Sequence, residues 1–387
     1  MDECRELVVA EIRDILPKSD RYRPVLYDLV LDYPLRDAKA IRPALCVATC
    51  RALGGRLEAV LRSAAVLEFY HNAFLIHDDV EDGSEFRRDA PTLHRKHGVP
   101  IAVNVGDAML ALSLEPLLEN MGSLGLGKAI RILQLVARMA RESAEGQALE
   151  LAWIRGREWD LTDTDYLRMV YKKTAWYTFV APMLVGAAVA GAEPRCLVAL
   201  RKFAVCLGLA FQIQDDVLNL TADPKLYGKE IGGDLWEGKH TLIVLHMLRS
   251  ATDAERRRAE AILARARPPE PAPVAETGDD TTATVARLAA LADELRAAGD
   301  LSRRGERALR RVCRPRRASV AYKTQADVDA LRALIAKYDS IEYTRGIARR
   351  WAALATARVD GLAAWLPRSI HREFLRALVA FVVERTK

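Results

Sequence analysis

An all-α fold, built as one large helical bundle, is the class this sequence predicts, and three observations carry the prediction. Half of the 387 residues are apolar, and Ala, Leu and Arg abound over Gly and the aromatics, a balance that suits long helices better than sheets. From about residue 40 to 250 the apolar positions recur at helical spacing almost throughout, on arcs wide enough for central members of a many-helix bundle. No strand alternation long enough to trust interrupts that spacing, and no repeat recurs at a fixed period.

Glycines, prolines and polar clusters divide the stretch into elements. Ala38-Lys39-Ala40-Ile41-Arg42-Pro43 opens the first apolar helix, which stops at Gly54-Gly55. The next runs through Ala73-Phe74-Leu75-Ile76 into His77-Asp78-Asp79-Val80-Glu81-Asp82, and residues 82–91 break it. Further breaks fall at Gly98-Val99-Pro100 and at residues 122–127, 156–164, 191–194 and 221–238, where turn-forming residues cluster. Beyond residue 250 the composition changes. Pro268, Pro269, Pro271 and Pro273 with the polar residues after them read as a flexible loop. Residues 283–298 are Ala/Leu-rich and read as a short helix, residues 302–317 carry eight arginines, and helical spacing resumes at Ala326. The expectation is one domain over residues 1–387 with a Pro/Arg-rich insertion at 268–320.

Composition excludes several classes of function. The net charge is +6, but much of the excess sits in the late arginine run, so it is no global signature of nucleic-acid binding. The six cysteines form no CxxC pair, and Cys46 and Cys50 stand four apart in an apolar run, which points to buried free thiols in a reducing, cytoplasmic setting. The start, Met-Asp-Glu-Cys-Arg-Glu, lacks a signal-peptide pattern. The longest apolar run considered, residues 178–192, contains Pro182 and stops short of the ~18–20 residues that span a bilayer. No membrane span and no nucleic-acid partner are expected.

The chemistry lies in two acidic clusters inside apolar helices, where ionised carboxylates are costly unless something positive is held between them. Asp78 and Asp82 are helical i,i+4 neighbours. Two carboxylates one turn apart suit Mg²⁺, a hard ion usually completed by waters and substrate phosphates. An isolated acidic pair of this kind is more often an exposed helix end, but the apolar run before Asp78 aims it into a cavity. Arg87 and Arg88 follow, with a fork geometry that matches phosphate oxygens. The second cluster is Phe211-Gln212-Ile213-Gln214-Asp215-Asp216, with Asn219 where a third carboxylate is expected. Lys229 and Lys239 border it. Lys39 and Arg42 sit three apart, His71 lies two turns before Asp78, and Lys173-Thr174 falls in another buried helix. Singly, each of these is ordinary.

As a set, KxxRP, HxxxxxHDDxxD, RR, KT and FQxxDD resemble the trans-isoprenyl diphosphate synthases, the family of farnesyl and geranylgeranyl diphosphate synthases, over residues 36–250 and the last sixty or so. The resemblance implies the isoprenoid synthase type of helical bundle, with a central active-site cavity, acting as a homodimer. It implies that Asp78 and Asp82, supported by Asp79, ligate Mg²⁺ beside an allylic diphosphate, and that Asp215, supported by Asp216, holds a third ion, with Mn²⁺ a possible substitute. Arg87, Lys173 and Lys229 would grip the allylic diphosphate with Lys239 nearby. Lys39, Arg42, His71 and Arg88 would bind isopentenyl diphosphate, and Thr174 and Gln212 would flank the allylic cation. In such synthases a bulky residue five before the first aspartate closes the pocket at fifteen carbons. Ala73 therefore implies a longer product and Phe74 not a very long one, so geranylgeranyl diphosphate is expected, with farnesyl or somewhat longer products as alternatives. A class I terpene cyclase or a non-catalytic regulatory subunit are the rival readings. The first needs no second diphosphate site, and the second typically loses an aspartate cluster. Asn219, Ala38 before Lys39 and the 268–320 insertion depart from the pattern.

Overall fold

The computed structural model describes residues 1–36, 38–222, 231–268, 290–291, 294–299, 302, 305 and 322–385. The chain forms two compact units, one of Met1–Ala264 with Val328–Lys387 and one of Arg265–Asp327. Most of the expected 268–320 insertion, including residues 283–289 and nearly all of the arginine run, lies outside the described residues, and within the expected 283–298 helix residues 290–291 and 294–297 are helical.

The larger unit is helical, as its spacing predicts. Its elements are α1 (Asp2–Ile15), α2 (Asp28–Leu35), α3 (Ile41–Ala52), α4 (Leu57–Glu81), α5 (Leu93–His97), α6 (Val99–Leu112), α7 (Leu114–Leu124), α8 (Leu126–Gly156), α9 (Asp163–Val170), α10 (Ala181–Ala190), α11 (Pro194–Thr221), α12 (Gly233–Glu237), α13 (Leu242–Ser250), α14 (Asp253–Leu263), α15 (Gln325–Lys337, which begins in the smaller unit), α16 (Ser340–Gly361) and α17 (Ile370–Glu384). The breaks have local causes. Pro194 opens α11 as proline does at a first helical turn. Capping boxes open α9 at Thr162/Asp165 and α14 at Thr252/Glu255, each satisfying backbone donors that a helix start leaves free. Helices α3 and α10 are buried on nearly every side and pack on each other, while α11 packs most closely on α16.

Two features were not legible in the spacing. Residues 82–91 contain a hairpin, β1 (Phe86–Arg87) against β2 (Ala90–Pro91), with Phe86 opposite Pro91. Its two-residue loop, Arg88-Asp89, has φ of 52° and 59°, the left-handed pair that a tight hairpin requires and that non-glycine residues adopt at a cost of ~1–2 kcal/mol each. Between α9 and α10 the helix widens into a π-helix over Tyr171–Val180. Glycines in both flanking helices make room for it. A Cβ on Gly146 of α8 would lie 2.2 Å from the Lys173 backbone nitrogen, and one on Gly208 of α11 would lie 2.7 Å from Ala175 Cβ. The wide turn carries Lys173, Thr174 and Tyr177 to the cavity, a common use of π segments.

One expectation needs correction. Two helical stretches, Val99–Leu124 and Pro194–Thr221, are long and apolar enough by length and composition to cross a bilayer. Scattered polar residues divide both, so neither is an uninterrupted apolar run. Val99–Leu124 breaks at Ser113 between α6 and α7, and Pro194–Thr221 is α11, whose Phe203, Leu207 and Ala210 are fully buried in the protein core and whose end carries Asp215 and Asp216.

The glycine notches give a test. Gly146→Ala should cost ~1–3 kcal/mol, the usual range for overpacking, because backbone must move. Gly346→Ala, in α16 with nothing within 4 Å of the new Cβ, should be neutral or gain up to ~1 kcal/mol. Urea unfolding of the two variants decides it, and equal effects would remove the notch from the account of the π-helix.

Candidate active site

The clusters meet at a cavity of about 450 Å³ lined from α3, α4, the β1–β2 turn, α8, α9, the π-helix, α11 and the segment 234–241. Along α4 the lining residues are Glu68, His71, Leu75 and Asp78, the three- and four-residue steps of one helix face.

Asp79 is the most enclosed carboxylate. It is fully buried, receives the Tyr33 hydroxyl at 2.6 Å and Arg87 Nε at 2.9 Å, and has a second, closer bond from Arg87. Asp78 accepts from Lys173 Nζ at 3.2 Å and Gln147 Nε2 at 3.3 Å. Lys173 also pairs with Glu150 of α8. Lys239 reaches Asp82 at 2.7 Å and Glu237 at 2.8 Å. Burial alone would raise the Asp78 carboxyl, but Lys173, Lys239 and Arg87 outweigh it and hold it below the usual carboxylate range. Asp82 moves the other way, pushed up by burial, against the pull of Lys239 and with help from Asp78 and Glu237. Lys173 resists its own desolvation because Asp78 and Glu150 raise it. Both ammonium groups therefore stay charged.

On α11, Asp216 is buried and receives Tyr166 OH at 2.6 Å and Gln212 Nε2 at 2.7 Å, and Gln212 accepts from Thr174 Oγ1 at 2.9 Å. Asp215 is met by Arg385, whose Nη2 lies 3.1 Å from its Oδ1 and whose guanidinium covers the Phe211 ring at 3.9 Å. Asn219 Oδ1 accepts the Asp234 backbone N–H at 3.3 Å, and its carbonyl accepts Gly232 N–H at 2.7 Å. The residue that departs from the acidic pattern thus clips the start of α12, and Asp234 brings a further acid to the cavity lining.

A second basic group borders the same cavity. Arg42 lies over the Tyr177 ring at 4.5 Å and donates to Thr178 Oγ1 at 2.8 Å. Arg88 donates to the Tyr33 carbonyl at 3.0 Å and approaches His71 Nε2 at 3.5 Å. Lys39 sits 5.3 Å from the Phe381 ring. Ala40, between Lys39 and Arg42, has φ of 47°, so Ala40, Arg88 and Asp89 are all left-handed non-glycine residues on the cavity wall, strain of the kind that clusters at functional sites. Arg36 anchors the hairpin by donating to the carbonyls of Arg87 and Pro91, both at 2.8 Å.

The donor set fits magnesium of a particular kind. Among the described residues no three His, Cys, Asp or Glu side chains converge as a ready cage. Asp78 and Asp82 with Asp215 across the cavity instead offer separate carboxylates, the arrangement for an ion completed by water and substrate phosphate. Lys229 lies outside the described residues.

A polyprenyl synthetase family model matches residues 24–277. The chain belongs to the polyprenyl synthetase family. It is similar to a short chain isoprenyl diphosphate synthase of Methanothermobacter thermautotrophicus, 34% identical across 65% of this chain and 80% of the relative. It is also similar to the octaprenyl diphosphate synthase of Escherichia coli, 36% identical across 55% and 63%. Among solved structures, a geranylgeranyl pyrophosphate synthetase from Pyrococcus horikoshii matches with TM-score 0.74 at 28% identity, over 98% of this chain and 95% of that one. A geranylgeranyl pyrophosphate synthase from Corynebacterium glutamicum, solved with isoprenyl diphosphate and magnesium, matches in fold with TM-score 0.71 at 24% identity, over 99% of each chain. The protein is a prenyltransferase, a trans-prenyl diphosphate synthase.

For a polyprenyl synthetase, the sequence reading omitted several cavity residues. Tyr33, Gln147, Glu150, Tyr166, Asp234 and Arg385 all touch the clusters or line the cavity. Glu150 and Gln147 carried a signal, since Gly146-Gln147 stands inside an otherwise helical run and a mid-helix glycine marks close approach. The chain-length residues shift as well. Ala73 is fully buried in the core and Phe74 is half-buried, and neither lines the cavity. Five residues at ~100° each carry Ala73 about 140° around α4 from Asp78. Phe74 stays near the Asp78 face and meets Tyr177 edge-on at 5.7 Å, and Tyr177 does line the cavity.

His240, another wall residue, stacks on Trp159 at 4.2 Å, and burial pushes its imidazole down to about 4. The folded state thus favours neutral His240, so its contribution is complete above about pH 6.5, the unfolded value, and is lost as pH falls toward 4. His240→Phe should flatten that part of the stability profile. Denaturant midpoints measured from pH 7 to 4 would show it, and parallel profiles for the two proteins would exclude it.

Proposed function

We propose that this synthase condenses isopentenyl diphosphate head-to-tail with an allylic diphosphate and stops at twenty carbons, giving geranylgeranyl diphosphate. The observation that carries the reading is the pairing of two cationic groups across one cavity. Lys39, Arg42, His71 and Arg88 form one, with Glu68 and Asp89 as the acids that line the cavity beside it. Arg87, Lys173 and Lys239 form the other, interleaved with Asp78, Asp82 and Asp215. The first would hold the diphosphate of isopentenyl diphosphate, and the second, with Lys229, the allylic diphosphate. Up to three Mg²⁺ ions, with Mn²⁺ as substitute, would be held by Asp78, Asp82 and Asp215 and would supply charge neutralisation for the departing diphosphate.

The protein's own part is largely electrostatic preorganisation. Lys173 and Lys239 stabilise charge that builds on the leaving oxygen as the allylic C–O bond breaks, while Arg87 grips the diphosphate equally before and after. The isopentenyl double bond supplies the electron pair of the new C–C bond, and the released diphosphate takes the proton. Thr174 and Gln212 flank the carbon that becomes cationic, and the apolar wall of Leu75, Tyr177 and Phe211, each half-buried, keeps water from trapping it.

The relatives range from short-chain to octaprenyl synthases, so the twenty-carbon length rests on the residues below Asp78. Phe74, one turn beneath Asp78, does not line the cavity itself but is braced by Tyr70 at 5.9 Å and backs the lining Tyr177 at 5.7 Å, an aromatic support behind the wall that would limit the product. A homodimer is proposed on a separate observation. Leu114, Leu118 and Met121 of α7 and Leu126, Ile130 and Leu133 of α8 are exposed at helical spacing, an apolar display that suits a second copy of the chain.

Incubation with Mg²⁺, isopentenyl diphosphate and each of dimethylallyl, geranyl and farnesyl diphosphate should give a C20 alcohol after phosphatase treatment. A cyclic hydrocarbon would favour a terpene cyclase, and no elongation from any primer would favour a regulatory subunit. Asp78→Ala should lower turnover by ~10³-fold or more with the fold intact, and a wild-type rate would refute its role. Because Ala73 is packed in the core, Phe74→Ala is the cleaner test of length, and it should shift product beyond twenty carbons.

The dimer is tested separately. Light scattering should give twice 43.0 kDa for the parent chain and a monomer for Leu118→Glu. A monomeric parent would refute the proposal.

A further inference from the structure

Two buried phenols hold matching posts. Tyr33 on α2 is fully buried and Tyr166 on α9 nearly so, and burial raises both hydroxyls, with Asp79 and Asp216 adding to the rise. Each therefore stays a hydrogen-bond donor. Tyr33 donates to Asp79 Oδ2 and Tyr166 to Asp216 Oδ2, both at 2.6 Å. Asp79 and Asp216 are the second members of their Asp-Asp pairs and are more buried than the aspartates before them.

The other oxygen of each carboxylate is taken by a nitrogen that faces substrate. Arg87 Nε lies 2.9 Å from Asp79 Oδ1, and Gln212 Nε2 lies 2.7 Å from Asp216 Oδ1. A carboxylate donated to on both oxygens cannot turn without losing a bond to a charged group, a loss of roughly 1.5–3 kcal/mol. The phenol thereby fixes the carboxylate plane, and the plane aims the nitrogen. On one side this directs Arg87, which also comes within 3.8 Å of Asp78. On the other it directs Gln212, whose carbonyl oxygen is left for Thr174 Oγ1 at 2.9 Å.

We infer that Tyr33 and Tyr166 are positioning residues with separable tasks: Tyr33 acts through Asp79 on the diphosphate-binding guanidinium of Arg87, and Tyr166 acts through Asp216 on the Gln212–Thr174 pair beside the reacting carbon. The inference rests on the proposed function. Its two halves differ in kinetics for a physical reason. A diphosphate is charged before and after ionisation, so a misaimed Arg87 weakens ground state and transition state alike and appears in KM. The allylic carbon is charged only in the transition state, so a misaimed Gln212 appears in kcat.

Tyr33→Phe and Tyr166→Phe each remove one oxygen. Tyr33→Phe should raise the allylic KM by ~10-fold or more, and equally the Kd for inorganic diphosphate measured calorimetrically with Mg²⁺, leaving kcat within about two-fold. Tyr166→Phe should lower kcat by ~10-fold or more and leave both affinities within about two-fold. Calorimetric stoichiometry reports any misfolded fraction separately from Kd. If Tyr166→Phe does not fold, Asp216→Asn, which keeps the side-chain shape but leaves one acceptor oxygen for both Tyr166 and Gln212, breaks the same relay and carries the same comparison. Variants that match the parent, or that lose kcat and affinity in equal measure, would overturn the inference. A parent chain that binds diphosphate but extends no primer would instead count against the proposed function, while the Tyr33 arm is still decided by calorimetry.

Discussion

Two lysines shared among four carboxylates hold this cavity together. Lys173 bridges Asp78 and Glu150, and Lys239 bridges Asp82 and Glu237. All six groups are at most one-quarter exposed, where an unpaired charge is expensive and a paired one is held with little screening. The elements around the cavity are arranged to keep those pairs. The π-helix lowers Lys173 toward α4 and α8, Gly146 lets it approach, and the Asn219 clip fixes the segment that leads to Lys239.

This set of ion pairs is unbalanced, with more acid than base around the lysines, and the imbalance has a consequence for binding. A diphosphate that takes Lys173 and Lys239 as its own counterions leaves Asp78, Asp82 and Glu150 without theirs. Burial then works against the vacated carboxylates. Divalent cations at those carboxylates would remove the penalty, so diphosphate and metal would favour each other's binding through the lysines they exchange. Coupling of this kind is reciprocal by linkage, and it needs no movement of a helix.

Much of the fold was legible because the relevant signals are local. Helical spacing and glycine breaks placed α3, α4, α8 and α11 to within a few residues, and the aspartates, lysines and arginines of the site followed from their positions on those helices. The rest depends on contacts between distant segments. Nothing near Tyr33 or Tyr166 marks them as partners of Asp79 and Asp216, since each pairing joins helices 46 and 50 residues apart. The π-helix keeps the apolar pattern of an α-helix over its ten residues, and only the glycines on its neighbours, Gly146 and Gly208, betray it. Phe74 and Ala73 are adjacent in sequence and both count as floor residues there, yet helix rotation sends Phe74 toward Tyr177 and Ala73 into the core.

The acidic clusters are alike in one respect and unlike in another. Both have a buried second aspartate held by a phenol, which makes the carboxylate a fixed support and leaves the first aspartate to deal with cations. Their first aspartates differ in what compensates them. Asp78 faces Lys173 of the π-helix, Lys239 of the segment after α12 and Arg87 of the strained hairpin, whereas Asp215 is met by Arg385, just beyond the end of α17. That arginine is itself held, since its side chain is 6% exposed, donates to the Phe211 carbonyl at 3.0 Å and covers the Phe211 ring at 3.9 Å. The α4 wall is thus compensated by cations brought from three separate segments, and the α11 wall by a guanidinium anchored on the helix it serves.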